Sequence, residues 1–167
     1  KKNIEKRNYF FVATTRPETF LGDTALAVNP EDKRYLNLIG KKVIVPMVNR
    51  IIPIVADFHA DPTKGTGVVK ITPSHDFNDW EVSKRHGLKN INIFDTKAKI
   101  DIKENLDFNE DASPEKDIME LHSLDRFEAR EKIVYLSKKF DWLEGIKDDL
   151  HMVPHGDRSG GPIEPFL

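Results

Sequence analysis

The sequence predicts a mixed α/β fold that is mainly β. Three observations lead there. Short aromatic or β-branched runs are bounded by Pro, Gly and Asn, two of these runs pass directly into a helix signal, and one later segment repeats its apolar residues at helical spacing. A chain of 167 residues is expected to form one domain, 1–167, with 1–8 and 151–167 as boundary segments.

Tyr9–Ala13 has the pattern of a buried strand. In Thr14–Gly22, Pro17 suits a first helical position and Gly22 the position after the last, so one or two helical turns are expected. Ala25–Val28 reads as a strand ended by Asn29-Pro30, and Lys33–Leu38 as a short helix closed by Gly40. Val43–Pro46 and Ile51–Val55 flank Met47–Arg50 as strand, turn and strand. Proline cannot donate to a ladder, so Pro46 and Pro53 are each expected at an edge or bulge, which points to a barrel rim or an irregular sheet.

Val68–Thr72 is a strand stopped by Pro73, and Asp76–His86 a helix capped by Asp76 in front and Gly87 behind. Asn90–Phe94 and Lys99–Ile102 are short strand candidates, whereas Lys103–Pro114 is polar enough to read as a mobile loop. Arg126–Lys139 is the clearest helix, with Asp125 as cap and Ala129, Ile133, Leu136 and Phe140 along one side. His151–Leu167, with three Pro and three Gly, reads as a returning linker or edge strand.

Composition removes several functions. There is no cysteine, so disulfides, thiol nucleophiles and Cys-ligated metals are excluded, and the cytoplasm is the default compartment. No apolar run approaches the roughly 18 residues of a membrane span, and no secretory leader is visible. The formal charge is −2, so the summed field will not attract a polyanion and RNA would have to be recognised locally. Gly65–Lys70 lacks the second glycine and the following Ser or Thr of a phosphate-binding loop. Gly156–Gly161 lacks the first glycine of G-x-S-x-G, so Ser159 is not read as a nucleophile.

The densest polar group is Lys70, Thr72, His75, Asp76 and Asp79. Alternation puts Lys70 and Thr72 on one face of their strand, and helical spacing puts Asp76 and Asp79 on one side of the next helix. Carboxylates there can hold an ammonium or orient a water, while a lysine and a hydroxyl can stabilise developing negative charge. Plain helix capping explains the two aspartates equally well. His75, Asp76 and Asp79 are ligand types for zinc or magnesium, but their spacing matches no metallohydrolase pattern, and no metal is expected.

Several strings occur in order along nearly the whole chain: Val12–Thr19, Gly22-Asp23-Thr24-Ala25, Val28–Asp32, Gly65–Pro73, Leu124–Arg130, Asp157–Gly160 and Ile163-Glu164-Pro165. Together they closely resemble the inserted editing domain of valyl-tRNA synthetase, in the class I aminoacyl-tRNA synthetase family. Neither the HIGH-type nor the KMSKS-type signature of that class occurs in these residues, so amino-acid activation is not expected of them. Phe20, Ser74 and Trp80 stand where the family often has Met, Ala and Tyr or Phe, and Asp95–Ser123 is long.

The resemblance implies a closed or nearly closed β-barrel core decorated with helices, with boundary segments leading toward a catalytic body. It also implies hydrolysis of mischarged threonyl-tRNA(Val) at the 3′ end of the tRNA, without metal, nucleotide or other cofactor. Valine and threonine have nearly the same shape, so an apolar synthetic pocket cannot strongly reject the added hydroxyl, and a second, polar pocket can invert the test. By the same resemblance Arg16 and Thr19 line that pocket, with Lys70, Thr72, Asp76 and Asp79 facing them, and His75 is expected among the substrate-binding residues. Asp79 grips the substrate α-ammonium, Lys70, Thr72 and Asp76 read the hydroxyl and orient the water, and Thr14 and Thr15 touch the terminal adenosine. Two alternatives stay open: hydrolysis of threonyl-adenylate in the same pocket, and a non-catalytic module that binds the tRNA acceptor end.

Overall fold

A computed structural model describes residues 9–148 together with 155, 157, 158, 160 and 162–165. Ser159, most of the 151–167 segment and residues 1–8 lie outside the described residues, and with them most of the two expected boundary segments.

Four strands, β1 (Ala25–Val28), β2 (Lys42–Ile44), β3 (Ile51–Ala56) and β4 (Val68–Ile71), form one mixed sheet in the order β2-β3-β1-β4. β1 runs parallel to β3 and antiparallel to β4, with Leu26 opposite both Ile54 and Lys70. All four β1 residues are buried, as expected of a central strand.

Among the described residues this sheet is open, in place of the expected closed or nearly closed barrel. After β4 the chain leaves for a helix instead of adding a strand, and Asn90–Ile102 makes only isolated bridges among the described residues, Phe94 with Ile100 inside the segment and Lys99 with the more distant Asp125. Those two segments, expected as strands, therefore form no ladder. Tyr9–Ala13 is not a strand either: Tyr9 and Val12 are exposed, and the Phe11 carbonyl accepts the Thr66 hydroxyl at 2.6 Å.

Pro53 also departs from expectation, because β3 is an interior strand. The bonds from Val45 N–H to Arg50 O and from Ile54 N–H to Lys41 O set the register, and Lys42 opposite Pro53 falls between them at a non-hydrogen-bonded pair. On the other side, the parallel register with β1 begins only at Ile54. The missing N–H thus leaves no gap in either ladder.

Two helices lie where their caps place them. α1 (Phe77–His86) starts at Asp76, whose side chain accepts from the N–H of Asn78 and Asp79, and it ends at Gly87 in the left-handed conformation. Two further helices come from segments without clear period. The expected mobile loop contains α2 (Leu106–Asn109), capped by Asn105 and anchored by the fully buried Phe108, and α3 (Lys116–Met119) follows it. α4 (Arg126–Lys139) has a capping box between Asp125 and Glu128 and buries Ala129, Ile133 and Leu136, whereas Phe140 sits exposed at its C-cap. Of the helix expected at Lys33–Leu38 only Leu36–Leu38 forms, as a 3₁₀ turn.

Alternation along the strands divides the core. Leu26, Val28, Ile52, Ile54 and Val68 join the large cluster on one face of the sheet, while Ala25, Ala27, Ile71 and Val82 of α1 form a smaller one on the other. A 3₁₀ turn at Pro17–Gly22 lies on the large-cluster side and packs against α4. Gly22 is required at its end, since a Cβ there would stand 2.8 Å from the Ile91 carbonyl and 3.3 Å from the Thr72 methyl. That close approach brings the turn against the end of β4.

Candidate functional site

Lys70 and Thr72 follow Val68 on the same strand face, toward the 3₁₀ turn. The Lys70 ammonium donates to Thr19 Oγ1 at 2.9 Å, to Asp23 Oδ1 at 3.0 Å and to Thr72 Oγ1. The Thr72 hydroxyl donates in turn to Asp23 Oδ1 at 2.5 Å, and the Thr19 hydroxyl to the Arg16 carbonyl at 2.9 Å. Thr19, Asp23, Lys70 and Thr72 are all buried. Burial pushes the Asp23 carboxyl above the ordinary aspartate value, while the Lys70 ammonium beside it pulls the other way.

Asp79 approaches the same strand end from α1. Its Oδ2 accepts the backbone N–H of Thr72 at 2.8 Å, and its Oδ1 lies 3.3 Å from Nε2 of His59. Thr72, the residue just after β4, therefore links the ammonium–hydroxyl cluster through its side chain and Asp79 through its backbone. The hydrogen bond to Asp79 is the main cause holding His59 above its ordinary pKa of 6.5.

The remaining expected site residues are placed differently. Asp76 is exposed, with its carboxylate engaged by the backbone of Asn78 and Asp79, so it does not converge with Lys70 and Thr72. The buried His75 ring turns away: Nε2 accepts from Ile93 N–H at 3.1 Å, Nδ1 faces the Pro165 carbonyl at 3.4 Å, and burial lowers its pKa to about 3. The neutral ring thus carries its proton on Nδ1. With the ring so engaged and Asp76 held in the cap, these side chains build no shared metal site with Asp79; among the described residues no cluster of three or more His, Asp or Glu could hold a metal.

Arg16 donates to the His75 carbonyl at 2.9 Å, pairs with Glu164 and lies 3.5 Å from Glu18, which is itself buried and clamped by Arg130 at 2.7 and 2.8 Å. Glu164 also accepts from Arg126 at 2.7 Å. The guanidinium thus ties the 3₁₀ turn to the chain near its end. Thr14 and Thr15 are exposed on the approach to that turn, where Thr14 Oγ1 accepts the Arg16 N–H.

Asp23 and His59 escaped the sequence reading. Asp23 had one usable signal, a carboxylate just before a strand adjacent to the one bearing Lys70. His59, in a polar turn, had none. Two hollows, of about 220 and 230 Å³, lie elsewhere, one around Tyr9, Phe11, Arg34 and Tyr35 and the other around Arg50, Pro53, Lys89 and Asp111. Neither of these two is lined by Thr19, Lys70, Thr72 or Asp79.

No protein-family model matches the chain. Curated relatives do. The chain is 58% identical over 163 residues to the valine–tRNA ligase of Cereibacter sphaeroides, covering 98% of the chain and 16% of the relative. It is 56% identical over 165 residues to that of Mesorhizobium japonicum and 56% over 168 residues to that of Agrobacterium fabrum, covering 96% and 98% of the chain and 18% of each relative. It therefore spans less than a fifth of the length of these ligases. Among its described residues no helix is long and apolar enough to cross a membrane. By sequence nearly the whole chain matches one segment of valyl-tRNA synthetases.

Proposed function

We propose that this segment is the editing domain of a valyl-tRNA synthetase and hydrolyses threonyl-tRNA(Val) after transfer, with the 3′ end of the tRNA as partner and the rest of the synthetase delivering it. The observation that carries this reading is the buried group Thr19, Lys70, Thr72 and Asp23, set against Asp79 through Thr72. A threonine side chain can exchange hydrogen bonds with these hydroxyls and charges. A valine side chain cannot, and would leave each displaced polar group unpaired at about 1–3 kcal/mol.

Asp79 receives the α-ammonium, because its carboxylate has lone pairs beyond those taken by Thr72 and His59. With the ammonium and the side chain both held, the ester carbonyl is fixed relative to an attacking water. An aminoacyl ester is already activated, so positioning supplies most of the acceleration, and the adjacent ammonium eases charge on the carbonyl oxygen. Thr14 and Thr15, exposed beside Arg16, offer hydroxyls to the terminal adenosine.

The test mixes the chain with threonyl-tRNA(Val) and valyl-tRNA(Val), with and without Asp79→Ala. Selective release of threonine, reduced about 10- to 100-fold by the substitution, is the expected result. Equal spontaneous decay in every mixture would overturn the reading and leave an acceptor-end binding module. Threonyl-adenylate in a parallel mixture separates hydrolysis before transfer from hydrolysis after it.

A further inference from the structure

His59 belongs to a turn whose placement is over-determined. Its backbone N–H donates to Asp57 Oδ1 at 2.9 Å. Asp57 is in turn clamped by Arg85, through Nε at 3.0 Å and Nη2 at 2.9 Å, and faces His86 Nε2 at 2.9 Å. Arg85 and His86 stand in the last turn of α1 and Asp79 in its first, so the turn after β3 straps the helix at both ends.

Both oxygens of Asp79 are therefore held, and by different kinds of group. The Thr72 N–H cannot titrate, whereas the His59 imidazole can. The His59 side chain is 28% exposed, enough to exchange a proton with water, against 10% for Asp79. The charged groups that act on His59 are the carboxylates of Asp79, Asp76 and Asp57, and the two cationic side chains nearby, Arg85 and His86, are directed at Asp57.

We propose that His59 is a positioning residue for Asp79: it fixes the carboxylate where a substrate α-ammonium is to sit, and on gaining a proton it weakens the hold of that carboxylate on the ammonium. This rests on the reading of Asp79 as the ammonium seat. Neutral His59 donates Nε2–H and leaves the carboxylate its full charge. Protonated His59 makes the same bond but cancels most of that charge, so a second cation binds less well. By reciprocity, an ammonium seated on Asp79 lowers the proton affinity of His59.

The experiment has a binding arm and a kinetic arm. NMR titration of the His59 ring, in the whole chain, is expected to give a midpoint above 6.5 that falls in Asp79→Asn and also on saturation with threonine amide. In the kinetic arm, KM for threonyl-tRNA(Val) rises by about threefold to tenfold between about pH 8 and pH 6, with a smaller change in kcat. His59→Gln keeps a donor for Asp79 but cannot gain charge, so its KM shows less of this rise, while His59→Ala raises KM throughout. The substrate ammonium titrates equally in all variants and cancels in the comparison. Superposed KM profiles for the wild type and His59→Gln, or a His59 midpoint indifferent to Asp79→Asn, would overturn the proposal. Absence of any threonine release by the wild-type chain would instead sink the hydrolysis reading itself, before any variant is compared.

Discussion

The Lys70 ammonium lies 3.0 Å from the Asp23 carboxylate, and both groups are more than nine-tenths buried. This pair closes the space between β4 and the approach to β1, and it holds the hydroxyls of Thr19 and Thr72 in the same hydrogen-bonded group. Two charges removed from water in this way stabilise the fold only together, since either one alone keeps its desolvation penalty without its partner.

Lys70→Met is accordingly expected to lower stability by about 3–5 kcal/mol, because Asp23 is left buried and unpaired. Adding Asp23→Leu should recover most of that loss, since an apolar pair of similar volume carries no unpaired charge. Urea unfolding of the wild type, both single variants and the double variant measures the coupling. A double variant no more stable than Lys70→Met alone would show that the pair does not act as a unit.

The neutral, buried His75 makes stability depend on pH. Its folded pKa is about 3 against 6.5 when free, so between these values the unfolded chain binds the proton and the folded chain does not. Stability is therefore full above about pH 6.5 and falls as pH drops through the window, by up to about 1.4 kcal/mol per pH unit. Unfolding free energies at pH 7, 6 and 5 check this, and His75→Asn, which cannot take up the proton, flattens the slope. His59, whose pKa is raised, acts with the opposite sign and loses its contribution as pH rises through its folded pKa.

Arg50 is almost fully buried and donates to the carbonyls of Leu21 at 2.7 Å and Phe108 at 3.0 Å, and to the Asp111 carboxylate at 2.7 Å. It thereby ties α2 to the 3₁₀ turn that carries Thr19. Arg50→Met retains bulk but leaves the Leu21 and Phe108 carbonyls without this donor, at about 1–3 kcal/mol each before relaxation, while Asp111 keeps Lys89 at 3.1 Å. A fall in Tm of several degrees is expected, with faster amide exchange at Phe108 than in the wild type. Unchanged exchange there would argue that α2 is held by its apolar contacts alone.

What could be read from sequence follows the range of the interactions involved. α1 and α4 stand where Asp76, Gly87 and Asp125 indicate, because capping is decided within four residues. α2 was not legible, since a single buried residue, Phe108, generates no period. Tyr9–Ala13 has strand composition but joins no ladder among the described residues, and β-propensity without a ladder does not make a strand. Closure of the sheet was equally invisible, because it depends on where the chain goes after β4.

The candidate site divides the same way. By itself the sequence determined that Lys70 and Thr72 share a face and that Asp79 follows one helical turn after a cap, both consequences of backbone periodicity. Only the tertiary structure decided that Asp76 is held by the cap, that the His75 ring turns toward Ile93, and that Asp23 and His59 complete the group. Those outcomes depend on contacts between distant segments, such as Asp23 with Lys70 across 47 positions, and such contacts exist only once the sheet has paired its strands.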